Sequence, residues 1–289
     1  MREYARLATA LSLFVGLAAV LVSCSDGENS QPAGAASTKG TGSTSRNAER
    51  AAYQPVRFRA GDGIELVGRL WGDGDVAVVL AHGFSEGVAQ DGWLSFARVL
   101  AERDYLVLTF NFRGFCDSEA CSEAPNELEK NWRDVIAALA FLEERNARKA
   151  FLVGASMGGL AVLRAARMPG ADVAGVVSLS TPQFPSRYYV GEPQANDVTP
   201  ARLRQIDEPK LFVAGKDDVQ LPGSAPLRTG VESVRFAADA RRMFQAAGEP
   251  KQLALLDSAS HSSELVTQAE DDVVKETRRR VLRFLRAHS

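Results

Sequence analysis

One serine of the chain stands in a sequence setting that suits a nucleophile. The apolar run 151–153 leads into Gly154-x-Ser156-x-Gly158, and a helix-forming stretch begins at Leu160. Small residues around a serine permit a strained turn that joins a strand to a helix and lifts the hydroxyl clear of the sheet. The start of the helix also offers free N–H groups to developing negative charge. The pattern predicts chemistry at Ser156, with an ordinary turn serine as the alternative.

A serine nucleophile needs a histidine base, and the chain has only three histidines. His288 is the penultimate residue, where chain ends usually fray. His82 directly follows an apolar run and precedes Gly83, which favours a structural role. His261 follows the strand-like run 253–256 after a short polar loop, and it is the predicted base.

The imidazole of such a base needs a carboxylate that orients it and stabilises its charged form. The strand-like run 210–214 ends in Gly215-Lys-Asp-Asp218, a loop that carries two acids. The residue types therefore give two candidates for this carboxylate, Asp217 and Asp218.

Four motifs, each at the end of a strand-like run, resemble those of the α/β-hydrolase superfamily. They are His82-Gly-Phe84, Asn111-Phe-Arg-Gly-Phe-Cys-Asp-Ser118, Gly154-Ala-Ser-Met-Gly-Gly159, and Gly215-Lys-Asp-Asp218 leading to His261. The resemblance covers roughly residues 55–287, and the order serine, aspartate, histidine is the one found in that fold. It implies Asp218 as the acid, with Asp217 as the fallback. It also implies no cofactor, and an oxyanion hole formed by the backbone N–H groups of Phe84 and Met157.

The alternation of strand-like and helix-like runs predicts an α/β domain at 53–289. The resemblance implies the α/β-hydrolase fold, a mostly parallel eight-stranded sheet with helices on both faces. Strands are expected at 56–59, 64–71, 76–81, 105–112, 150–153, 173–179, 211–214 and 252–256, and helices at 92–102, 127–145, 157–167, 201–206, 234–247 and 265–287. The first two strands should pair antiparallel around Gly61-Asp-Gly63. The interval 181–208 is short, which predicts a minimal lid.

The beginning of the chain has the composition of an export signal. Residues 1–6 are net basic and residues 7–22 are apolar or small. Leu21-Val-Ser-Cys24 resembles the lipobox of bacterial lipoproteins, which implies a signal peptide at 1–23 and a lipid-anchored Cys24. Residues 24–52, rich in Ser, Gly and Thr, predict a flexible tether. We therefore expect the protein to be located in the bacterial cell envelope, and in the outer membrane if the host has one. A plain secretory signal and an uncleaved anchor helix are the alternatives.

Cys116 and Cys121 remain as a pair, in a compartment that permits disulfides. The short loop between them can bring their Cα atoms to a bonding distance, so we predict a disulfide, with two free thiols as the alternative. The Cys-x4-Cys spacing lacks a second pair of ligands, so no metal site is predicted. The formal net charge of −2, with both signs mixed, does not indicate nucleic-acid binding.

These features predict a serine hydrolase that cleaves carboxylic-ester-type bonds through an acyl-enzyme. Its partners would be a small-molecule acyl substrate and the membrane that holds the anchor. Peptidase, thioesterase or perhydrolase chemistry on the same three residues stays open, as does a catalytically inactive binding module of the envelope. The sequence sets neither the acyl length nor the oligomeric state.

Overall fold

The computed structural model describes residues 52–84, 88–224, 227–268 and 271–289. The predictions for the signal peptide, for Cys24 and for most of the tether fall outside the described residues. Ten strands are β1 (Tyr53–Arg59), β2 (Glu65–Trp71), β3 (Val76–Ala81), β4 (Tyr105–Phe110), β5 (Lys149–Ala155), β6 (Gly175–Leu179), β7 (Lys210–Gly215), β8 (Val219–Gln220), β9 (Val234–Arg235) and β10 (Lys251–Leu256). The α-helices are α1 (Leu94–Ala101), α2 (Asn131–Glu143), α3 (Met157–Ala165), α4 (Pro200–Leu203), α5 (Phe236–Ala246), α6 (Glu264–Thr267) and α7 (Asp272–His288).

Eight of these strands form one sheet in the order β1-β2-β4-β3-β5-β6-β7-β10. β1 pairs antiparallel with β2 around the turn at Gly63, and β2 pairs antiparallel with β4. From β4 to β10 every pair is parallel. The eight-stranded, mostly parallel α/β sheet expected from the sequence is thus confirmed, and the carboxyl ends of its parallel strands meet at one edge.

Helices cover both faces of the sheet because alternate strand residues point to opposite sides. On β5, Leu152 packs with the core that contains α2, α3 and α5. Its neighbours Phe151 and Val153 pack with the core that contains α1 and α7. Burial on both faces explains why the central strands read as continuous apolar runs in the sequence.

Beyond shifts of a few residues in the bounds, three differences from the expected elements change their number or pairing. The stretch expected as one helix at 265–287 is two helices, α6 and α7, and the side chain of Asp271 caps the second by accepting from the Val273 N–H. The helix expected from residue 234 begins at Phe236, because Val234 and Arg235 pair with Val219 and Gln220 instead. A 3-10 turn at Ala89–Trp93 precedes α1.

The interval expected to hold a minimal lid contains one π-helical turn, Ser186–Val190, and the short helix α4. Within the described ranges, no helix combines the length and the apolar character needed to cross a membrane.

Candidate active site

Ser156 lies on the turn between β5 and α3, at the carboxyl edge of the sheet. Its backbone has φ 50° and ψ −111°, a conformation that is strained for a residue with a side chain. The Ser156 N–H donates to the Leu179 carbonyl of the adjacent strand at 2.8 Å, and its carbonyl accepts from Leu160 at 3.2 Å. The strained turn is therefore held by the sheet on one side and by the helix on the other.

The glycines around Ser156 let α3 lie close to the strands. A methyl group on Gly154 would lie 2.3 Å from the Gly158 carbonyl oxygen, and one on Gly158 would lie 2.1 Å from the Ala81 carbonyl oxygen. Gly159 has the same constraint, since its methyl group would meet the Thr181 hydroxyl oxygen at 1.8 Å. The Gly-x-Ser-x-Gly-Gly pattern is thus required by packing.

The structure brings His261 and Asp218 together from loops 43 positions apart. The Nδ1 atom of His261 lies 3.0 and 3.1 Å from the two carboxylate oxygens of Asp218. Because a carboxylate accepts, Nδ1 carries the proton and Nε2 is left as the basic nitrogen. Asp218 is 3 % exposed and Asp217 is exposed, so the structure places Asp218, and not the fallback, against the imidazole.

Phe236 packs its ring against the imidazole of His261, with the ring centroids 4.3 Å apart. The Phe236 N–H also donates to the Asp218 carbonyl at 3.2 Å. This residue therefore supports both partners of the pair. Among the described residues, no hydrogen bond joins the Ser156 hydroxyl to His261, a contact that often tightens only when substrate binds.

His82 bridges two loops with its two ring nitrogens. Nε2 accepts from the Phe112 N–H at 3.1 Å, so Nδ1 must carry the proton that it shares with the Gly83 carbonyl at 2.6 Å. Burial lowers the pKa of His82 to about 4, and the hydrogen bond to Gly83 opposes this shift. His82 is thus a neutral structural residue, as the sequence predicted, and it fixes the loop that carries Phe84.

That loop runs beside the serine, since a methyl group on Gly83 would lie 3.4 Å from the Ser156 Cβ. Phe84 and Met157, the two predicted oxyanion-hole residues, follow Gly83 and Ser156 respectively and line the same cavity. Met157 is the first residue of α3, a position where backbone N–H groups have no partner within the helix. The placement suits two donors directed at one oxygen.

The loop after β4 supports this arrangement from behind. Phe115 packs edge-on against the rings of His82 and Phe84, at centroid distances of 5.0 and 5.4 Å. Cys116 and Cys121 form a disulfide with Cα atoms 4.0 Å apart. The predicted cystine is therefore present in the structure, and it closes a small loop around Asp117.

Asp117 organises the inside of that loop. Its carboxylate accepts from the Asn111 and Gln90 side chains at 3.0 and 2.5 Å, and from the backbone of Glu119 and Ala120. These hydrogen bonds lower the pKa of Asp117, against the effect of its burial. The cystine loop is therefore tied to Asn111, the residue directly before Phe112.

The site opens into a cavity of about 650 Å³. Ser156, Asp218, His261, Phe84 and Met157 all line it, and the other lining residues are Leu128, Leu160, Pro182, Tyr189, Val219, Gln220, Leu221, Ser224, Phe236 and Ala259. This volume lies within the range typical of small-molecule sites. Most of the wall is apolar, which suits a hydrocarbon chain.

Tyr189 and Gln220 form part of the cavity wall that the sequence did not predict. The Tyr189 hydroxyl donates to the Gln220 side-chain oxygen at 2.9 Å and so joins the lid turn to the loop after Asp218. Burial raises the pKa of Tyr189, so its hydroxyl stays protonated at neutral pH. The only signal in the sequence was the pair of tyrosines in the short lid. Their partner Gln220 could not be predicted, because it lies on another loop at no fixed spacing from Tyr189.

Comparisons with known proteins agree with this geometry. The family described as "Serine aminopeptidase, S33" matches residues 73–280, well over half of the chain. No curated protein matches the chain significantly.

Solved structures share the fold at low sequence identity. An esterase from Pyrococcus furiosus is 17 % identical with a TM-score of 0.62, and the alignment covers 82 % of this chain and 93 % of that one. An α/β-hydrolase from Penicillium sp. sh18 is 18 % identical with a TM-score of 0.60, covering 82 % and 99 %. The esterase domain of a Rhodothermus marinus protein is 22 % identical with a TM-score of 0.58, covering 81 % and 99 %. The chain is thus an α/β-hydrolase and belongs to the hydrolase family described as serine aminopeptidase, S33.

Proposed function

We propose that the protein is a serine esterase that cleaves neutral carboxylic esters with apolar acyl chains through an acyl-enzyme. The observation that carries the proposal is the pairing of His261 with Asp218 beside a strained Ser156 in one apolar cavity. A strained serine, an oriented imidazole and a buried acid are the groups that acyl transfer requires.

In this mechanism the Ser156 oxygen attacks the ester carbonyl while Nε2 of His261 takes the hydroxyl proton. Asp218 holds the Nδ1–H and stabilises the imidazolium that forms. The N–H groups of Met157 and Phe84 donate to the oxyanion, each worth about 3 kcal/mol of barrier lowering. The imidazolium then gives its proton to the leaving alcohol. Water, deprotonated by the same nitrogen, releases the acid and restores the serine.

The charge of the cavity favours an ester over an aminopeptidase substrate. An aminopeptidase must hold the protonated amine of its substrate, for which a carboxylate is the natural partner. Among the described residues that line the cavity, Asp218 is the only carboxylate, and His261 already occupies it. The acyl side of the substrate is therefore expected to be uncharged.

The test is hydrolysis of p-nitrophenyl acetate, butyrate, octanoate and palmitate by the full chain, beside leucine and alanine p-nitroanilides. We expect turnover of the esters and little of the anilides. Ser156→Ala, His261→Ala and Asp218→Asn should each lower kcat by about 10³-fold or more. Asp217→Asn is the matched control and should retain wild-type kcat, because Asp217 faces solvent.

Labelling with a fluorophosphonate tests the serine without assuming a substrate. Wild type should label and Ser156→Ala should not. Anilide turnover without ester turnover would replace the proposal with an aminopeptidase. A folded wild type that neither labels nor turns over any substrate would favour a binding module.

A further inference from the structure

Four large apolar side chains of the described residues are exposed. Two of them line the active-site cavity, a third directly follows the lining residue Tyr189, and the fourth lies near the loop that carries His261. They are Phe84 (50 % exposed), Val88 (45 %), Val190 (40 %) and Leu221 (63 %). Single exposed apolar residues are common on protein surfaces. A group gathered at one opening is typical of an interaction site. These four side chains are called the apolar rim below.

Val190 and Leu221 form one side of the apolar rim. Each is the next residue after a partner in the hydrogen bond between Tyr189 and Gln220, which holds together the two loops that carry them. The Arg228 N–H also donates to the Tyr188 carbonyl at 3.1 Å, which attaches the lid turn a second time. This side of the mouth is thus built on two joined loops.

Phe84 and Val88 form the other side, next to the loop that carries His261. A methyl group on Gly83 would lie 2.6 Å from the Ser262 hydroxyl. One on Gly92 would lie 3.2 Å from the Ser263 hydroxyl and 3.7 Å from the Val88 side chain. This side of the rim therefore lies beside the loop that carries His261.

The apolar rim continues into the cavity. Phe84 and Leu221 belong to both, and Met157, Leu160 and Phe236 extend the apolar wall inward. A hydrocarbon chain can move from the rim to the serine along apolar contacts. Because the rim and the cavity are continuous, we expect the surface that contacts the rim also to supply the substrate.

The charges next to the rim are of both signs. Exposed Arg187 and Glu192 flank Val190, the guanidinium of exposed Arg228 lies beside Gly191, and exposed Lys216 and Asp217 precede Leu221. An anionic surface attracts clusters of Lys and Arg, and these three basic groups are interspersed with two acidic ones. The rim therefore matches a lipid surface with neutral or zwitterionic head groups.

We propose that the apolar rim docks on a zwitterionic lipid surface and takes its ester substrate from it, acyl chain first. The substrate part of this inference rests on the proposed esterase function, while the docking part does not. The anchor predicted at Cys24 would keep the domain beside such a surface.

The first experiment measures docking without catalysis. Val190→Trp is combined with Ser156→Ala in the full chain and mixed with phosphatidylcholine vesicles whose acyl chains are brominated or plain. Gln245→Trp in the same background is the matched control. Gln245 is exposed at the end of α5, close to the start of β10, on the side of the sheet where the parallel strands begin and away from Ser156. Both variants carry the same N-terminal segment, so a difference between them reports the rim.

We expect the fluorescence that Val190→Trp adds to that of the three native tryptophans to fall about twofold in brominated vesicles, since docked side chains reach the acyl boundary. The fluorescence that Gln245→Trp adds should stay unchanged. Equal quenching of both variants, or quenching of neither, would overturn the docking. A rim that instead packs against a second copy of the chain would give no quenching and a dimer in sedimentation that Val190→Asp dissociates.

The second experiment measures the use of lipid as substrate. The double variant Val88→Asp/Val190→Asp changes two rim residues that do not line the cavity. Hydrolysis of dissolved p-nitrophenyl butyrate should stay at the wild-type rate, and hydrolysis of a dispersed phosphatidylcholine ester should fall about tenfold as rim burial is lost. Asn146→Asp/Gln245→Asp adds the same charge on the side of the sheet where the parallel strands begin. It should leave the hydrolysis of both substrates at the wild-type rate.

Equal losses on the two substrates would refute uptake from the lipid surface. A wild type that hydrolyses no ester but shows the position-specific quenching would refute the proposed function and support the docking.

Discussion

His82 shows how one side chain can support a site without taking part in its reaction. Its two ring nitrogens hold the backbones of Phe112 and Gly83, and this requires the neutral imidazole. Protonation would place a second N–H against the Phe112 N–H and break that bond. The loop that carries Phe84 therefore depends on the protonation state of a buried residue.

The stability of the protein should depend on pH through His82. Its pKa is about 4 in the folded protein and 6.5 in the absence of burial, so between these values only the unfolded chain binds the proton. The free energy of unfolding then rises with pH. The contribution of His82 is fully present above pH 6.5 and is lost as the pH falls to about 4. It amounts to about 3 kcal/mol.

Urea unfolding of wild type and His82→Gln at a series of pH values checks this. The stability difference between the two should shrink as the pH falls through this range. A difference that is constant with pH would show that the imidazole does not change its proton affinity on folding.

The residue types and their order identified Ser156, His261 and a choice between two acids, because these groups follow strand-like runs in the chain. Spacing could not separate Asp217 from Asp218, since the two adjacent side chains leave the loop in different directions. Gln220 was missed for a related reason. It reaches the site from a loop, where tertiary packing alone decides which side chain meets which.

At the scale of elements, α3 lies against the end of β3 at a distance that only glycine allows. Gly158→Ala should destabilise the protein by about 2 kcal/mol, because the new methyl group would press on the Ala81 carbonyl and push the helix away. It should also lower kcat, since Ser156 starts that helix. Gly248→Ala is the matched control, with open space around its methyl group.

Chemical denaturation and ester turnover of both glycine variants measure these effects. A Gly158→Ala protein as stable and active as Gly248→Ala would mean that α3 moves aside without cost.

The cystine loop should affect both stability and rate. Cys116→Ser/Cys121→Ser removes a constraint on a short loop, worth about 2 kcal/mol. It also frees Asp117 and its hydrogen-bond partner Asn111, the residue directly before Phe112, whose N–H donates to His82. We therefore expect a lower Tm and a lower kcat with little change in KM, measured by thermal unfolding and steady-state kinetics. A lower Tm with an unchanged kcat would show that the cystine loop does not help to position the oxyanion-hole residues.

The parallel strands of the main sheet were predictable because each is an apolar run that ends at a turn. β1 has polar residues throughout, and its expectation rested on an antiparallel pair around Gly61-Asp-Gly63. The split between α6 and α7 was not, since the amphipathic pattern continues across it while Asp271 caps a new start. The pairing of β8 with β9 was not predictable either, because two-residue strands have no periodicity to detect.

At the scale of the whole molecule, the predicted anchor can be tested directly. In a bacterial host, the full chain should incorporate a labelled fatty acid and sediment with membranes. Cys24→Ser should lose the label, because no thiol remains to be acylated. Ser25→Ala is the control and should keep it. A label that survives in Cys24→Ser, or a wild type without label, would contradict the lipobox.

The direction of β1 has a consequence for how such an anchor and the apolar rim could work together. Tyr53 lies level with Trp71, which lies level with Val107 near the start of β4, so the chain enters the domain at the edge of the sheet away from Ser156. A strand of this length spans about 20 Å. Residues 24–52, fully extended, reach at most about 100 Å.

If the lipidated end and the mouth rest on one bilayer, the connecting segment must reach from the side of the sheet where β1 begins to the side that carries Ser156. Its length then determines whether the catalytic face can turn towards the membrane or is held facing away from it. A segment with no chemistry of its own would thereby decide whether the enzyme meets its substrate.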